Sequence, residues 1–275
     1  MSYQFMLSAF GDEIDDDLAT QIAVLAAEGI AQIEFRSAWG QNVLALSDDD
    51  LRRAAVLLAE AGFGVSAVAS PIGKSLLHQP AAFELARLDR AFVAAETLGT
   101  RLIRVFSFYY APLTPADARA EVLDRMGALA ARAQAAGFTL LHENEKEIYG
   151  DTAIRCQDLL TAVDSPALRS VFDPANFVQC GVQPMTAAWP LLVDTVTHIH
   201  IKDAVFADGS VRPAGQGDGA IPLLLRTLVA RGYQGCLTLE PHLQIAGPAG
   251  GFSGPAGMQI AARALAALLA EVRGD

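Results

Sequence analysis

A single (β/α)8 barrel over residues 1–275 is the fold that the sequence predicts, on three observations. First, an apolar strand-like run, a polar loop, an Ala/Leu-rich helical segment and a glycine recur, at about 33 to 38 residues in the first half of the chain. Second, Gly29, Gly62, Gly99, Gly137 and Gly232 each close a helical segment where a left-handed cap belongs, and a new apolar run follows each. Third, the doubly wound open sheet, the main alternative, normally carries GxGxxG after its first strand. FGDEID stands there instead.

The elements follow in order. Strands are expected near Tyr3–Ala9, Ala31–Arg36, Val65–Ser70, Leu102–Phe108, Thr139–Glu143, Ser170–Asp173, Thr197–Lys202 and Cys236–Glu240. Helices between them start at Ser47 before an Asp run, at Thr114 with Pro115 in the first helical position, and at Asp151 before TAIRCQDLL. The acidic run from Asp12 and Glu13 to Asp17 reads as charge at a helix N-terminus. Phe106, Phe108, Tyr109 and Tyr110 read mainly as packing. The Gly/Pro-rich stretch from Ala246 to Gly257 is expected to be a mobile loop over the strand ends.

Composition narrows the partners. A hydrophobic content of 52% provides for a large core, and a net charge of -11 offers no general attraction to nucleic acid or anionic lipid. No uncharged apolar run reaches the ~18 residues of a membrane span. MSYQFMLSAFGDEIDDD lacks the basic start of a targeting peptide. Cys156, Cys180 and Cys236 are odd in number, far apart and without CxxC spacing, which argues against disulfides and a thiolate metal site. A cytoplasmic protein is the expectation.

Four strand ends carry the chemistry: LHENE (Leu141–Glu145), VFDPAN (Val171–Asn176), HIHIKD (His198–Asp203) and LTLEPH (Leu237–His242). Each places an Asp, Glu or His where an apolar strand meets solvent, and charge at the mouth of a barrel signals function. Residues two apart on a strand share a face. Thr139, Leu141 and Glu143 then line up, as do Thr238 and Glu240, His198, His200 and Lys202, and Gln32, Glu34 and Arg36. Glu143, Asp173, His200 and Glu240 together make a mostly oxygen donor set suited to Mn2+, Mg2+ or Co2+, with Zn2+ less favoured for want of thiolates and more histidine. Taken singly, each has an ordinary structural reading: Asp173 before Pro174 starts an Asx turn, and His198, deepest on its strand, reads as a hydrogen-bonded interior histidine. Lys202 pairs with Asp203 or another carboxylate, or faces substrate. His142 has outward parity and His242 lies beyond the strand.

In these residues the chain resembles the sugar phosphate isomerase/epimerase superfamily, the xylose isomerase-like barrels related to apurinic endonuclease family 2. HENE, VFDPAN, HIHIKD and LTLEPH match its strand-end motifs in order, and GQGDG (Gly215–Gly219) resembles its Gly-rich turn. Many members carry His three residues after the aspartate, where this chain has Asn176. The resemblance implies a divalent metal held by Glu143, Asp173, His200 and Glu240, bound to adjacent carbonyl and hydroxyl oxygens of a sugar or sugar phosphate. Glu143 and Glu240 would be the catalytic pair, one removing the α-proton and the other returning it. Glu34, Arg36, Arg104, Asn176 and Lys202 are the expected substrate contacts, the cations also offsetting site charge. A lyase or dehydratase acting on an inosose or keto sugar is the runner-up. An endonuclease-like protein, expected to show a basic groove and a histidine-rich zinc cluster, and a non-catalytic sugar binder rank lower. Homo-oligomerisation is a further expectation of the resemblance.

Overall fold

The computed structural model describes residues 5–243 and 253–273. Eight parallel strands close into a barrel. They are β1 (Met6–Ala9), β2 (Gln32–Phe35), β3 (Gly64–Ala69), β4 (Leu102–Val105), β5 (Thr139–Glu143), β6 (Leu168–Phe172), β7 (Val196–Ile201) and β8 (Cys236–Leu239). Neighbours in sequence are neighbours in space, and β8 closes on β1 through Met6 opposite Cys236 and Ala9 opposite Leu239. The (β/α)8 fold and all eight expected strands are therefore present. The fourth is shorter than expected: beyond Val105, Phe106 and Phe108 leave the sheet and donate to the Ile72 and Gly73 carbonyls.

Helices surround the barrel for the reasons the sequence supplies. Ser47 accepts from Asp50 N and Thr114 from Asp117 N, satisfying orphan donors at the starts of Asp48–Glu60 and Pro115–Ala136. Asp17 does the same for Leu18–Ala27, accepting from Thr20 N. The Asp151 cap does not hold: Thr152 is the flanking residue of Ala153–Val163, while Asp151 lies in a short 3-10 turn and pairs with Arg155. All five stop glycines have positive φ. Of the expected loop Ala246–Gly257, residues 246–252 lie outside the described region, and Gly254 already opens the last helix, Gly254–Arg273.

Most of the core lies between barrel and helices, whereas Ala67, Leu141 and Val171 pack with Leu102 as a small separate cluster. Since Leu141 shares its strand face with Glu143, that cluster forms an apolar layer beneath the charged strand ends. His142 points the other way, as its parity requires. It is buried, with Nε2 3.0 Å from Ser107 Oγ, and burial pushes its pKa down to about 4. The three cysteines are unbridged. Among the described residues, no helix is long and apolar enough to cross a membrane.

Two predictions follow from this packing. Gly73 has φ +82° and a Cβ there would collide with the Phe106 carbonyl, whereas a Cβ at Gly62, φ +73°, meets nothing within 4 Å. Gly62→Ala should therefore cost about 1 kcal/mol in urea unfolding, the strain of the backbone alone, and Gly73→Ala roughly 3 kcal/mol. The second concerns pH. Folded His142 stays neutral down to about 4, while an ordinary histidine takes its proton near 6.5. Its contribution is complete above pH 6.5 and is lost as pH falls toward 4, by up to about 3 kcal/mol. His142→Gln should flatten the stability profile in that window; an unchanged slope would show that His142 does not supply it.

Candidate metal and substrate site

The mouth of the barrel is built where strands end. β5 delivers Glu143 as its last residue, Asp173 follows β6, Lys202 follows β7 and Glu240 follows β8. His200 lies opposite Thr238 in the register, two residues inside its neighbour's Glu240. All five side chains are at least 95% buried. One ligand atom from each of Glu143, Asp173, His200 and Glu240 lies within 4.8 Å of all the others.

His200 is the hub. Its Nδ1 is 3.0 Å from Glu143 Oε1, 3.7 Å from Glu240 Oε2 and 4.0 Å from Asp173 Oδ2. Its Nε2 faces the opposite way, 3.2 Å from Glu34 Oε2. Lys202 Nζ sits 2.9 Å from both Asp173 Oδ2 and Glu240 Oε2. Each glutamate also meets one guanidinium: Arg104 Nη1 is 3.2 Å from Glu143 Oε2, and Arg36 Nη1 is 3.1 Å from Glu240 Oε1. Both arginines and the imidazole gather around one buried ring, Phe10. The guanidinium carbons lie 4.6 Å (Arg36) and 5.1 Å (Arg104) from its centroid, and His200 meets it edge-on at 5.2 Å.

These contacts set the protonation states. Burial opposes ionisation of Glu143, but His200 and Arg104 outweigh it and hold the carboxyl at about 2. Burial raises Asp173 to about 6; Lys202 opposes this, while Glu143 and Glu240 add to it. Glu240 is held well below the usual carboxylate range by Lys202, His242, His200 and Arg36 against its desolvation. His200 rises well above its ordinary value because Glu143 and Glu34 overcome its burial.

The donor set fits a divalent ion. Three carboxylates and one imidazole nitrogen converge, and Glu143 Oε2 and Asp173 Oδ2 are buried without accepting a hydrogen bond, Arg104 and Lys202 serving only as ion-pair neighbours. Asp12, Glu13, Glu34, Glu143, Asp173 and Glu240 face Arg36, Arg104 and Lys202, an excess of three negative charges before the histidines are counted. A bound ion has to share Asp173 and Glu240 with the lysine.

Several residues differ from their sequence reading. Glu34 is fully buried behind His200, with no face toward the cavity, so its expected substrate contact does not fit its position. Arg36 and Arg104 are engaged by Glu240 and Glu143. Asn176 orients the site from within, donating from Nδ2 to the Asn144 carbonyl at 2.9 Å and to Glu143 Oε1 at 3.4 Å. Its backbone N–H caps onto Asp173 Oδ1, so the Asx-type turn and the candidate ligand are the same aspartate. Lys202 does not pair with Asp203. That carboxylate turns into the Gly-rich stretch and accepts from the backbone of Gly215, Gly217 and Gly219. His198 is buried beneath His200, yet neither ring nitrogen has a hydrogen-bond partner, contrary to the expected bonded interior histidine.

Two residues were missed. Asp12 and Glu13 lie in a short 3-10 turn, Gly11–Glu13, ahead of the helix that Asp17 caps, but their charges are engaged elsewhere: both grip Arg36, at 2.7 and 2.9 Å, and Asp12 also accepts from Ser37 Oγ. Glu13 further accepts from Ser253 Oγ and lies 2.9 Å from His242 Nε2, which joins the loop after β1 to both flanks of the segment after β8. Only an acid beside a predicted strand end, followed by no helix for several residues, hinted at this. His242, set aside in the sequence reading, lies 3.7 Å from Glu240 and lines a cavity of about 210 Å³ with Asn176, Lys202, Glu145, Lys146 and Gln179.

Comparison with known proteins agrees with this architecture. A curated relative, 2-epi-5-epi-valiolone 7-phosphate 2-epimerase of Actinoplanes sp., is 31% identical over 212 residues, covering 76% of this chain and 74% of the relative. A D-tagatose 3-epimerase-like protein superposes with a TM-score of 0.76 at 15% identity, over 98% of this chain and 99% of its own. The IOLI protein, crystallised with a zinc atom, superposes with a TM-score of 0.75 at 15% identity, again over 98% and 99%. At such identities the two structures bear on fold alone. The model of the xylose isomerase-like TIM barrels matches residues 22–268, so nearly the whole chain is covered by it, and this protein belongs to that family.

Proposed function

We propose that the protein is a divalent-metal-dependent epimerase or isomerase of a keto sugar, cyclitol ketone or their phosphates, working by proton transfer next to a carbonyl. The observation that carries this reading is the arrangement of Glu143 and Glu240. They come from β5 and the end of β8, flank His200 Nδ1 at 3.0 and 3.7 Å, and each has one oxygen engaged by an arginine. The named activity of the 31% identical relative, an epimerase, is of the same class.

When bound to Glu143, Asp173, His200 and Glu240, the ion supplies Lewis acidity to the substrate's carbonyl and neighbouring hydroxyl, acidifying the α-carbon. Mn2+, Mg2+ or Co2+ suits the oxygen-rich set, and Zn2+ is the alternative. The chain's own part is acid–base chemistry. One glutamate, ionised, takes the α-proton, and the other, which must first take a proton from solvent, delivers it to the opposite face, inverting the centre; return to the adjacent carbon would interconvert ketose and aldose. Arg36 and Arg104 lower the basicity of both carboxylates in the resting site, so proton transfer requires substrate to change the field around them. Lys202, Asn176 and the polar cavity wall, including Gln179, would hold hydroxyls.

A lyase on the same site is the second reading. His242, half-buried at the cavity and 3.7 Å from Glu240, is a proton donor placed where a departing hydroxyl could be protonated. It would share the first step and differ in losing water.

Metal-loaded protein in D2O should incorporate deuterium at the α-carbon of one member of a panel of ketoses, inososes and 3-keto sugars. Exchange at constant substrate favours epimerisation, whereas loss of water favours the lyase. Glu143→Gln and Glu240→Gln should each lower exchange at least ~100-fold, with metal content measured alongside. Full exchange in both variants would eliminate the two-glutamate mechanism.

A further inference from the structure

We infer that Glu34 is a positioning residue that selects Nδ1 of His200 as the metal-binding nitrogen by holding the proton on Nε2. The inference rests on the proposed metal site and assigns no substrate contact to Glu34.

Three observations carry it. Both Glu34 oxygens lie against the same ring nitrogen, Oε1 at 3.3 Å and Oε2 at 3.2 Å from His200 Nε2, and Glu34 is fully buried on the far side of the imidazole from the cavity. Nδ1 faces the oxygens of Glu143, Glu240 and Asp173, so the two nitrogens divide cleanly between a ligating side and a closed side. Phe10, edge-on to the ring at 85°, packs against the imidazole and braces it in that orientation.

An imidazole must offer a lone pair to ligate, so its single remaining proton has to sit on the other nitrogen. A carboxylate at Nε2 accepts only from a protonated nitrogen, and among the described residues His200 Nε2 is the one hydrogen-bond partner of either Glu34 oxygen. Glu34 therefore keeps a proton on Nε2, so that an arriving ion displaces the proton that Nδ1 shares with Glu143 and not the one on Nε2. Without it, Nε2 would be buried with no acceptor, and the proton could settle on Nδ1 beside Glu143, where it blocks the ion. The second acidic cluster at the mouth, Glu13, Glu240 and His242, does not take over this task, because Arg36 bridges Glu13 and Glu240. The β-bulge between Ile33 and Glu34 in the β2–β3 pairing shifts the register just where Glu34 is placed under His200.

The test compares wild type, Glu34→Leu and Glu34→Gln, each stripped of metal and checked for fold by circular dichroism and thermal unfolding. Calorimetric titration with Mn2+ should show a Kd about 10- to 100-fold weaker for Glu34→Leu, and a loss under ~10-fold for Glu34→Gln, whose amide oxygen still accepts. In parallel, 15N NMR of the zinc-loaded wild type should show His200 ligated through Nδ1 with a slowly exchanging Nε2–H. That second measurement stands even if Glu34→Leu does not fold. Wild-type affinity in Glu34→Leu, or ligation through Nε2, would overturn the inference while leaving the metal site intact. A wild type that takes up none of Mn2+, Co2+ or Zn2+ would remove the metal reading and this inference together, so the two failures are told apart.

Discussion

Mutual repulsion among buried carboxylates is the constraint on which the rest of the site depends. Glu143, Asp173 and Glu240 are brought to one small volume at the barrel mouth, nearly out of contact with water. At such spacing, like charges in a low-dielectric setting are costly unless cations or a metal stand among them. Every neighbouring choice answers that demand. Arg104 takes one oxygen of Glu143, Arg36 one oxygen of Glu240, and Lys202 bridges Asp173 and Glu240. Residual negative charge remains, and the proposed divalent ion would offset it.

The cations are themselves held. Arg36 is gripped by Asp12 and Glu13 as well as Glu240, so its three-sided fork cannot swing away from the glutamate. Glu13 extends that grip outward through His242 and Ser253, which couples the loop after β1 to the segment following β8. On the other side, Asn144 and Asn176 form a short neutral network: Asn144 exchanges hydrogen bonds with the Asp173 backbone, and Asn176 reaches Asn144 and Glu143. An amide at position 176 brings no charge of its own, so Glu143 is oriented there without a further cation. Asp203 contributes rigidity from outside, ordering the Gly215–Gly219 turn with backbone N–H groups. A Cβ at Gly217 or Gly219 would press on its carboxylate, which explains why that turn is written in glycine.

How much of this was legible in the sequence depends on the range of the interaction concerned. The strand ends could be read because alternation and glycine stops are local signals; β5 begins and ends at the expected Thr139 and Glu143. Strand parity then placed Glu143, His200, Lys202 and Glu240 on the inner face. Parity says which face a side chain takes, not what stands across from it. Glu34 shares the inner face yet ends under His200 rather than before the cavity, since the bulge at Ile33/Glu34 and the depth of its layer set its height. His198 has the expected interior position but lacks the partner expected for it.

By itself, then, the sequence determined the barrel, the order of its strands and the set of four candidate ligands. Period-two alternation, left-handed caps and strand-end acids are all written within a few residues of one another. Only the tertiary structure decided which cation serves which carboxylate, that Asp12 and Glu13 belong to the site, and which nitrogen of His200 faces the other candidate ligands. Arg36 meets Glu240 across 204 positions of chain, and His200 meets Glu34 across 166. Coulomb energy depends on separation in space, and closing the barrel is what sets those separations.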